Sequence, residues 1–460
     1  MTKSASLLAN LAGAVIFLVL NIVAAHAQVG LTNAHPNLSR GNGDDKTAER
    51  YELDSVNLFN GNLSLSIPLG ARYPLARDFG YSFALNYNSN VWDIESSGSV
   101  VSAAPIKNSN AGFGWDLGFG RLIPPQASGT QVGRWVYVSP DGAYHPFYST
   151  LHQDVSENDP DDTYLYTRDG SCYRLYVLSA TQRFVEAPDG TQSLFELVGG
   201  GWRLKQIGDR FTNRLWFTYG TNVLTLSDNH GRTHRIHFKP NTTGTYASLV
   251  DRVELAAFNG TTATYALTYR TDTVSRPSVD NDPATAATVS LPVLVAVTLP
   301  DGSRYNFNYH NQATQNSSGR IAGMQLPTLG SINWTYTNYS FTGGGRPTGL
   351  APGCRSNVGV GTRSLENAAD VALGRWTYQT ALTPSGQEER EMTNTVITPA
   401  GDKHVYYFNV NTTSTTGAWR RAGYGLPGTH NQYDSSGTRA LTWQVLDCNS
   451  SGSTCQTLRS

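Results

Sequence analysis

One short pattern recurs along this chain and constrains its fold more than any other feature. A strand-like run ends, a tight turn carrying Asp and Gly follows, and an aromatic-bearing run returns. The copies are Ser139-Pro-Asp-Gly142 before Tyr144 and Phe147, Arg168-Asp-Gly170 before Tyr173 and Tyr176, and Ala187-Pro-Asp-Gly190 before Phe195. Asp228-Asn-His-Gly231 precedes Phe238, Leu299-Pro-Asp-Gly302 precedes Tyr305, Phe307 and Tyr309, and Thr398-Pro-Ala-Gly401 precedes Tyr406 and Phe408. Tyr433-Asp-Ser-Ser-Gly437 before Trp443 extends the series. Pro presets φ at the first corner, Asp bonds back to the backbone, and Gly takes the positive φ that a hairpin needs. The Gly-to-Gly spacings are 28, 20, 41, 71, 99 and 36, too irregular for a propeller or solenoid of fixed period. The expectation is an all-β fold, a succession of antiparallel hairpins with variable insertions.

Alternation supports this. Asn62-Leu-Ser-Leu-Ser-Ile67 reads as a half-buried strand after the Asn60-Gly61 turn. Tyr81, Phe83, Leu85 and Tyr87 fall on one face of a second strand, and 93–111 reads as a loop. Charged residues are only 15 %, and 24 Tyr stand against 3 Met, a balance that favours strands over helices. Residues 363–374 (RSLENAADVALG) are the one stretch expected to form a short helix. A net charge of −1 gives no electrostatic footprint for nucleic acid or an anionic membrane.

The N-terminus reads as an export signal. Lys3 precedes an uncharged, mostly apolar stretch from Leu7 to Ala25, and Ala25-His26-Ala27 is a small-x-small end. That end favours cleavage after Ala27 over an uncleaved anchor, and places the mature chain in a secreted, periplasmic or cell-surface setting. No later segment is apolar for long enough to span a membrane as a helix. Export permits disulfides among Cys172, Cys354, Cys448 and Cys455. Cys448 and Cys455 flank a Ser/Gly-rich turn and can close a small loop, while Cys172 lies in a strand-like run that suits a buried thiol. After the signal (1–27), the expected organisation is a flexible leader (28–50), an N-terminal β region (51–125) and a hairpin region (126–342). A Gly/Pro-rich linker or insertion (343–362) and a C-terminal hairpin region (363–460) follow.

The residues that carry chemistry elsewhere have plainer readings here. No nucleophile elbow, zinc-protease helix or phosphate-binding loop is present. His230, His234 and His237 are clustered, but a three-residue offset puts His234 and His237 on opposite faces of a strand, and His230 sits in a turn. The expectation there is a partly exposed strand with basic residues. The acidic run Asp154, Glu157, Asp159, Asp161 and Asp162 offers oxygen ligands to Ca²⁺, but lacks the EF-hand spacing and glycine. Trp202, Trp216, Trp334, Trp376 and Trp419 suit sugar stacking or, more commonly, core packing. In GFGWDLGFGRL (112–122), Trp115 is expected to pack under neighbouring backbone while Gly112, Gly114, Gly118 and Gly120 allow a bend between sheets. No catalytic, cofactor-binding or metal-binding residue is assigned, and no cofactor is expected.

Three stretches together are similar to a known family. VNLFNGNLSLSIPL (56–69), GFGWDLGFGRL (112–122) and the unit Tyr309–Leu329, with its Gly319-Arg320-Ile321 step, resemble the large secreted proteins of the RHS/YD-repeat class. The resemblance lies with the region N-terminal to their densest repeats. It implies meandering hairpins that coil into a large curved sheet, here a partial RHS-like shell. Family members are much longer, and neither their self-cleaving core segment nor a variable effector has a counterpart here, so the chain is expected to be a truncated or N-terminal piece. The function expected is that of a non-enzymatic exported scaffold contacting an unknown protein or surface glycan. A carbohydrate-binding or carbohydrate-active β protein is one alternative, and the remnant of a toxin-delivery protein without its effector is another.

Overall fold

A computed structural model describes residues 39–43, 46–97, 100–125, 134–151, 163–241, 246–277, 288–310, 318–340, 356–382, 391–409, 427–433, 440–448 and 455–458. The signal segment, the acidic run 154–162, Cys354 and Trp419 lie outside them. The described residues are nearly all β, paired antiparallel throughout.

An N-terminal sheet comes first. Ala48–Arg50, Asp54–Asn57, Leu63–Pro74, Gly80–Asn88 and Trp115–Asp116 pair in that order. Period-two alternation sets its faces: Leu63, Leu65, Ile67 and Leu69 are buried, while Ser66, Pro68 and Gly70 are exposed. Tyr81, Phe83, Leu85 and Tyr87 are likewise buried on one face. Within the expected leader, Arg40 is buried and bonds Asn90 O, Trp92 O and Asp93. The stretch 93–111, expected as a loop, contains a hairpin of Trp92–Ser97 with Val100–Pro105, because its small β-compatible residues pair directly.

From Arg121–Ile123 to Cys455–Leu458 each strand pairs with the next in one long ladder. Its first edge lies against Gly201–Gly208, with Trp135 and Trp202 in edge contact at 5.2 Å. Among the described residues no register joins Cys455–Leu458 to Arg121–Ile123, so the ladder is not closed into a barrel. It runs unbroken past 341–355, since Ser331–Ser340 pairs with Ser356–Glu366.

The ladder curves around the N-terminal unit. Thirteen consecutive strands, Arg214–Gly220 to Lys403–Asn409, include contacts with it from Phe217–Phe119 to Phe408–Phe59. Laid flat, they would span roughly 60 Å at about 4.8 Å per strand, against roughly 20 Å for a five-stranded sheet. Only a curled ladder reaches the same small sheet along that length. The buried core is the apolar face of the ladder pressed on the N-terminal sheet.

Five of the recurrent turns and two further ones share one geometry, which the turn at Arg168-Asp-Gly170 does not. In 139–143, 187–191, 228–232, 299–303, 326–330, 367–371 and 398–402 the first residue's N–H donates to the fifth residue's carbonyl. The fourth residue's N–H donates to the first residue's carbonyl. The fourth residue has positive φ: Gly142, Gly190, Gly231, Gly302, Leu329, Asp370 and Gly401. This is a type I turn with a left-handed bulge residue. An even number of strands separates successive copies, so all seven lie on one rim. The strand ends flanking 278–287, 311–317, 341–355, 383–390 and 410–426 lie on the opposite rim. The irregular spacing therefore reflects insertions on that rim, together with turns built without Gly.

Two corrections follow from these turns. The short helix expected over 363–374 is a strand, turn and strand: Asn367 Oδ1 accepts from Ala369 N and Val371 N and closes the hairpin. Cys172, expected as a buried thiol, is exposed at φ 53° in the turn after Gly170.

Leu329 holds φ 69° while 61 % exposed. A left-handed conformation costs a side chain about 1–2 kcal/mol that glycine does not pay. Leu329→Gly is expected to raise unfolding free energy by about 1 kcal/mol after the entropy cost of glycine. Denaturant unfolding checks this; an unchanged or lower midpoint contradicts it.

Candidate functional site

The N-terminal unit meets the ladder through polar clamps that span long sequence distances. In the first, Tyr81 Oη donates to Asp228 Oδ2 at 2.6 Å and lies 2.8 Å from His234 Nε2. His234 Nδ1 accepts from Ala256 N at 3.1 Å, so Nε2 carries the proton and donates to Tyr81. Arg232 Nε donates to Asp228 Oδ2 at 2.6 Å and its Nη2 to Pro74 O at 2.7 Å. Burial alone would raise the Asp228 carboxyl, but donors from Tyr81 and Arg232 outweigh it and hold it below the usual range. Burial pushes His234 down to about 4.

A second clamp is a buried ion pair. Arg363 Nε and Nη2 donate to Asp54 Oδ2 and Oδ1 at 2.7 and 2.8 Å, with both side chains at most 5 % exposed. Trp334 Nε1 donates to Asp54 Oδ2 at 3.2 Å. The guanidinium lies 3.9 Å from the Tyr51 ring centroid and 4.8 Å from that of Trp376. Burial pushes Tyr51 up to about 12, and its hydroxyl pairs with that of Tyr378 at 2.9 Å.

In the third, Trp115 Nε1 donates to Tyr309 Oη at 2.9 Å, and Tyr309 Oη donates to Leu294 O at 2.7 Å. Tyr87 Oη accepts from Ile321 N at 2.9 Å, within the Gly-Arg-Ile step. The bend expected for 112–122 is present. Gly114 has φ 82°, and a Cβ there would lie 2.6 Å from the Tyr87 ring.

Beside the ion pair, a cleft of ≈560 Å³ opens between the 326–330 and 367–371 turns. Its lining includes Tyr51, Glu52, Asp54, Arg363, Glu366 and Trp376. Glu366 Oε2 accepts from Ser331 Oγ and Asn333 Nδ2, each at 3.1 Å. Leu329 and Val371 are exposed on the two flanking turns, and Leu373 is exposed on the strand that follows the second.

The three histidines are not brought together. His230 Nε2 donates to Leu75 O at 3.1 Å, His237 faces Glu254 at 3.0 Å, and His234 is fully buried rather than part of an exposed face. Among the described residues no group of three or more His, Cys, Asp or Glu is placed to hold a metal. Trp334 is buried, Trp202 and Trp376 are half-buried, and Trp216 is 37 % exposed. Cys448 and Cys455 face each other across the ladder, with side chains outside the described ones. Sequence reasoning missed the cleft, because Asp54 and Arg363 stand 309 residues apart with no local motif joining them.

Two outcomes follow from the clamps. Removing one partner of a buried ion pair leaves an uncompensated charge, so Asp54→Ala is expected to cost about 3–5 kcal/mol in urea unfolding. Asp54→Leu with Arg363→Met should recover much of that loss. For His234, the unfolded imidazole takes up a proton near 6.5 and the folded one only near 4. Its contribution is whole above 6.5, is lost as pH falls from 6.5 to 4, and is flat below. The loss is up to about 3 kcal/mol. Unfolding titrations of His234→Phe should show a shallower slope than the native chain in that window; equal slopes contradict the assignment.

No family model and no curated protein matches the chain. Among solved structures, it is similar to a TcdB2-TccC3 structure at 12 % identity and TM-score 0.25, over 89 % of this chain and 19 % of that one. It is similar to a porin-like protein from Bacteroides uniformis ATCC 8492 at 13 % identity and TM-score 0.22, over 68 % and 94 %. It is also similar to the N-terminal domain of effector protein SpvB from Salmonella typhimurium strain LT2, at 14 % identity and TM-score 0.18, over 70 % and 94 %. The chain thus spans about a fifth of the length of the TcdB2-TccC3 chain.

Proposed function

We propose that this chain is an exported, non-enzymatic β scaffold, the N-terminal region of an RHS-like surface or secreted protein. The observation that carries the reading is the N-terminal unit seated in the concave face of the ladder. The groups there with chemical capability, Asp228, Tyr81, His234, Asp54 and Arg363, are committed to bonds between the two parts. Mechanism on this reading is shape: paired strands satisfy the backbone, the filled concavity fixes curvature, and rims present contacts.

The wetted face of the ladder supports a setting in water. Arg203, Lys205, Thr233, Arg235, Thr262, Thr264, Thr268 and Arg270 are exposed on the three strands Gly201–Gly208, Thr233–Pro240 and Thr262–Ser275. A strand face that meets lipid instead carries an apolar band. Lys3, the apolar stretch and Ala25-His26-Ala27 supply the export part of the reading.

The full chain expressed in a bacterial host tests it. N-terminal sequencing of protein from the periplasm or medium is expected to begin at Gln28, and Ala25→Arg with Ala27→Arg should abolish that cleavage. Protein held in the cytoplasm with its first residues intact would refute export.

A further inference from the structure

We propose that the cleft between the 326–330 and 367–371 turns is a docking site for a partner polypeptide segment carrying a basic side chain flanked by aliphatic ones. This goes beyond the scaffold reading and does not depend on it.

The first observation concerns the lips. Leu329, Val371 and Leu373 are 61 %, 55 % and 64 % exposed. Leu329 and Val371 sit on neighbouring turns two strands apart, about 10 Å at normal strand spacing, and Leu373 follows at the start of Ala372–Leu382. Leu373 lines the cleft, and Leu329 lies between two cleft residues, Thr328 and Gly330. Scattered exposed leucines need no explanation, but a cluster around a concave mouth matches an interaction site.

The second is the backbone. Five of the seven bulge turns place Gly at the fourth position, and Leu329 occupies it at φ 69°. The chain there keeps a strained conformation and an exposed aliphatic side chain together. Neither helps folding, and such a combination is characteristic of contact sites.

Charge is the third. Asp54 is neutralised by Arg363, whereas among the described residues no ion pair engages Glu52 or Glu366. The exposed Glu52 and half-buried Glu366 leave the cleft net negative beside the Tyr51 and Trp376 rings. A basic side chain complements the carboxylates, and aliphatic neighbours cover the lips. An acidic segment would be repelled, and a polyol would leave the lips wet. The volume, ≈560 Å³, suits a few side chains.

Calorimetric titration of the full chain with the peptide acetyl-Leu-Arg-Leu-Leu-Arg-Leu-amide tests this, beside versions with Gln or Glu in place of Arg and a panel of neutral oligosaccharides. The Arg peptide is expected to bind saturably, the Gln peptide about 10-fold more weakly, and the Glu peptide not at all. Glu52→Gln with Glu366→Gln should weaken the Arg peptide about 10-fold, with thermal unfolding confirming that the variant folds. Leu329→Gly should weaken it similarly while leaving the fold at least as stable, which separates contact from structure. No binding, equal binding of the three peptides, indifference to these variants, or oligosaccharide binding at the cleft would each overturn the proposal. Export and the scaffold reading would survive any of them.

Discussion

Burial of one face of the ladder against the N-terminal sheet is the constraint on which the rest depends. An antiparallel sheet with one apolar face must cover that face, and a ladder this long cannot cover it by hairpin pairing alone. The N-terminal unit supplies the cover. Each fully buried Leu or Val contributes about 1.5–3 kcal/mol relative to exposure, and the buried set extends from Leu63 and Leu85 to Val253, Leu294 and Phe408. Curvature follows, because strands far apart in a flat ladder gain that burial only by wrapping the same small sheet.

Apolar burial sets the wrapping but not its register. A one-residue slip moves a strand's apolar set to the other face, yet a slip of two keeps the pattern. Directional bonds decide between such alternatives. Asp54 meets Arg363 and Trp334 at once, and Tyr81 bridges Asp228 and His234, so shifting any strand by two residues would strand a buried polar group. Close backbone approach adds a steric pin: a Cβ on Gly61 would lie 2.5 Å from Gly359 Cα, and Val360 N donates to Gly61 O at 2.9 Å. Hydrophobic area sustains the fold, while a few polar and glycine contacts select one seating of it.

How far the sequence disclosed this varies with range. The hairpins were legible because their determinants are local: Pro-Asp-Gly fits a type I turn and bulge within five residues. The turns at 326–330 and 367–371 were less legible because Leu329 and Asp370 occupy the bulge position. Asn367 at the first position was the usable signal in the second, as Asp228 is in its own turn. The alternations at 62–67 and 81–87 marked buried faces correctly, but not what they face. Closure of the ladder on the N-terminal sheet, and the cleft beside Arg363, arise from pairs hundreds of residues apart, where composition and spacing carry no information. The predicted helix failed for a related reason: Arg363 and Leu365, two positions apart, share one face of a strand once their partners Trp334 and Ile332 in Ser331–Ser340 are present.

The unequal rims follow from where the clamps attach. On the turn rim, the connections 139–143 and 228–232 themselves bond the N-terminal unit. Asn86 and Asn88 donate to Pro140 O and Asp141 O, while Asp228, His230 and Arg232 hold Tyr81, Leu75 and Pro74. A length change there would pull these atoms from their partners. Across the opposite rim, the bonds to the N-terminal unit among the described residues include those of the strand residues Asn357, Val360 and Asn394. A connection that carries no such bond can lengthen at small cost, since closure entropy grows only with the logarithm of length. Sequence variation can therefore collect on one rim while the filling of the concavity, and with it the curvature, stays unchanged.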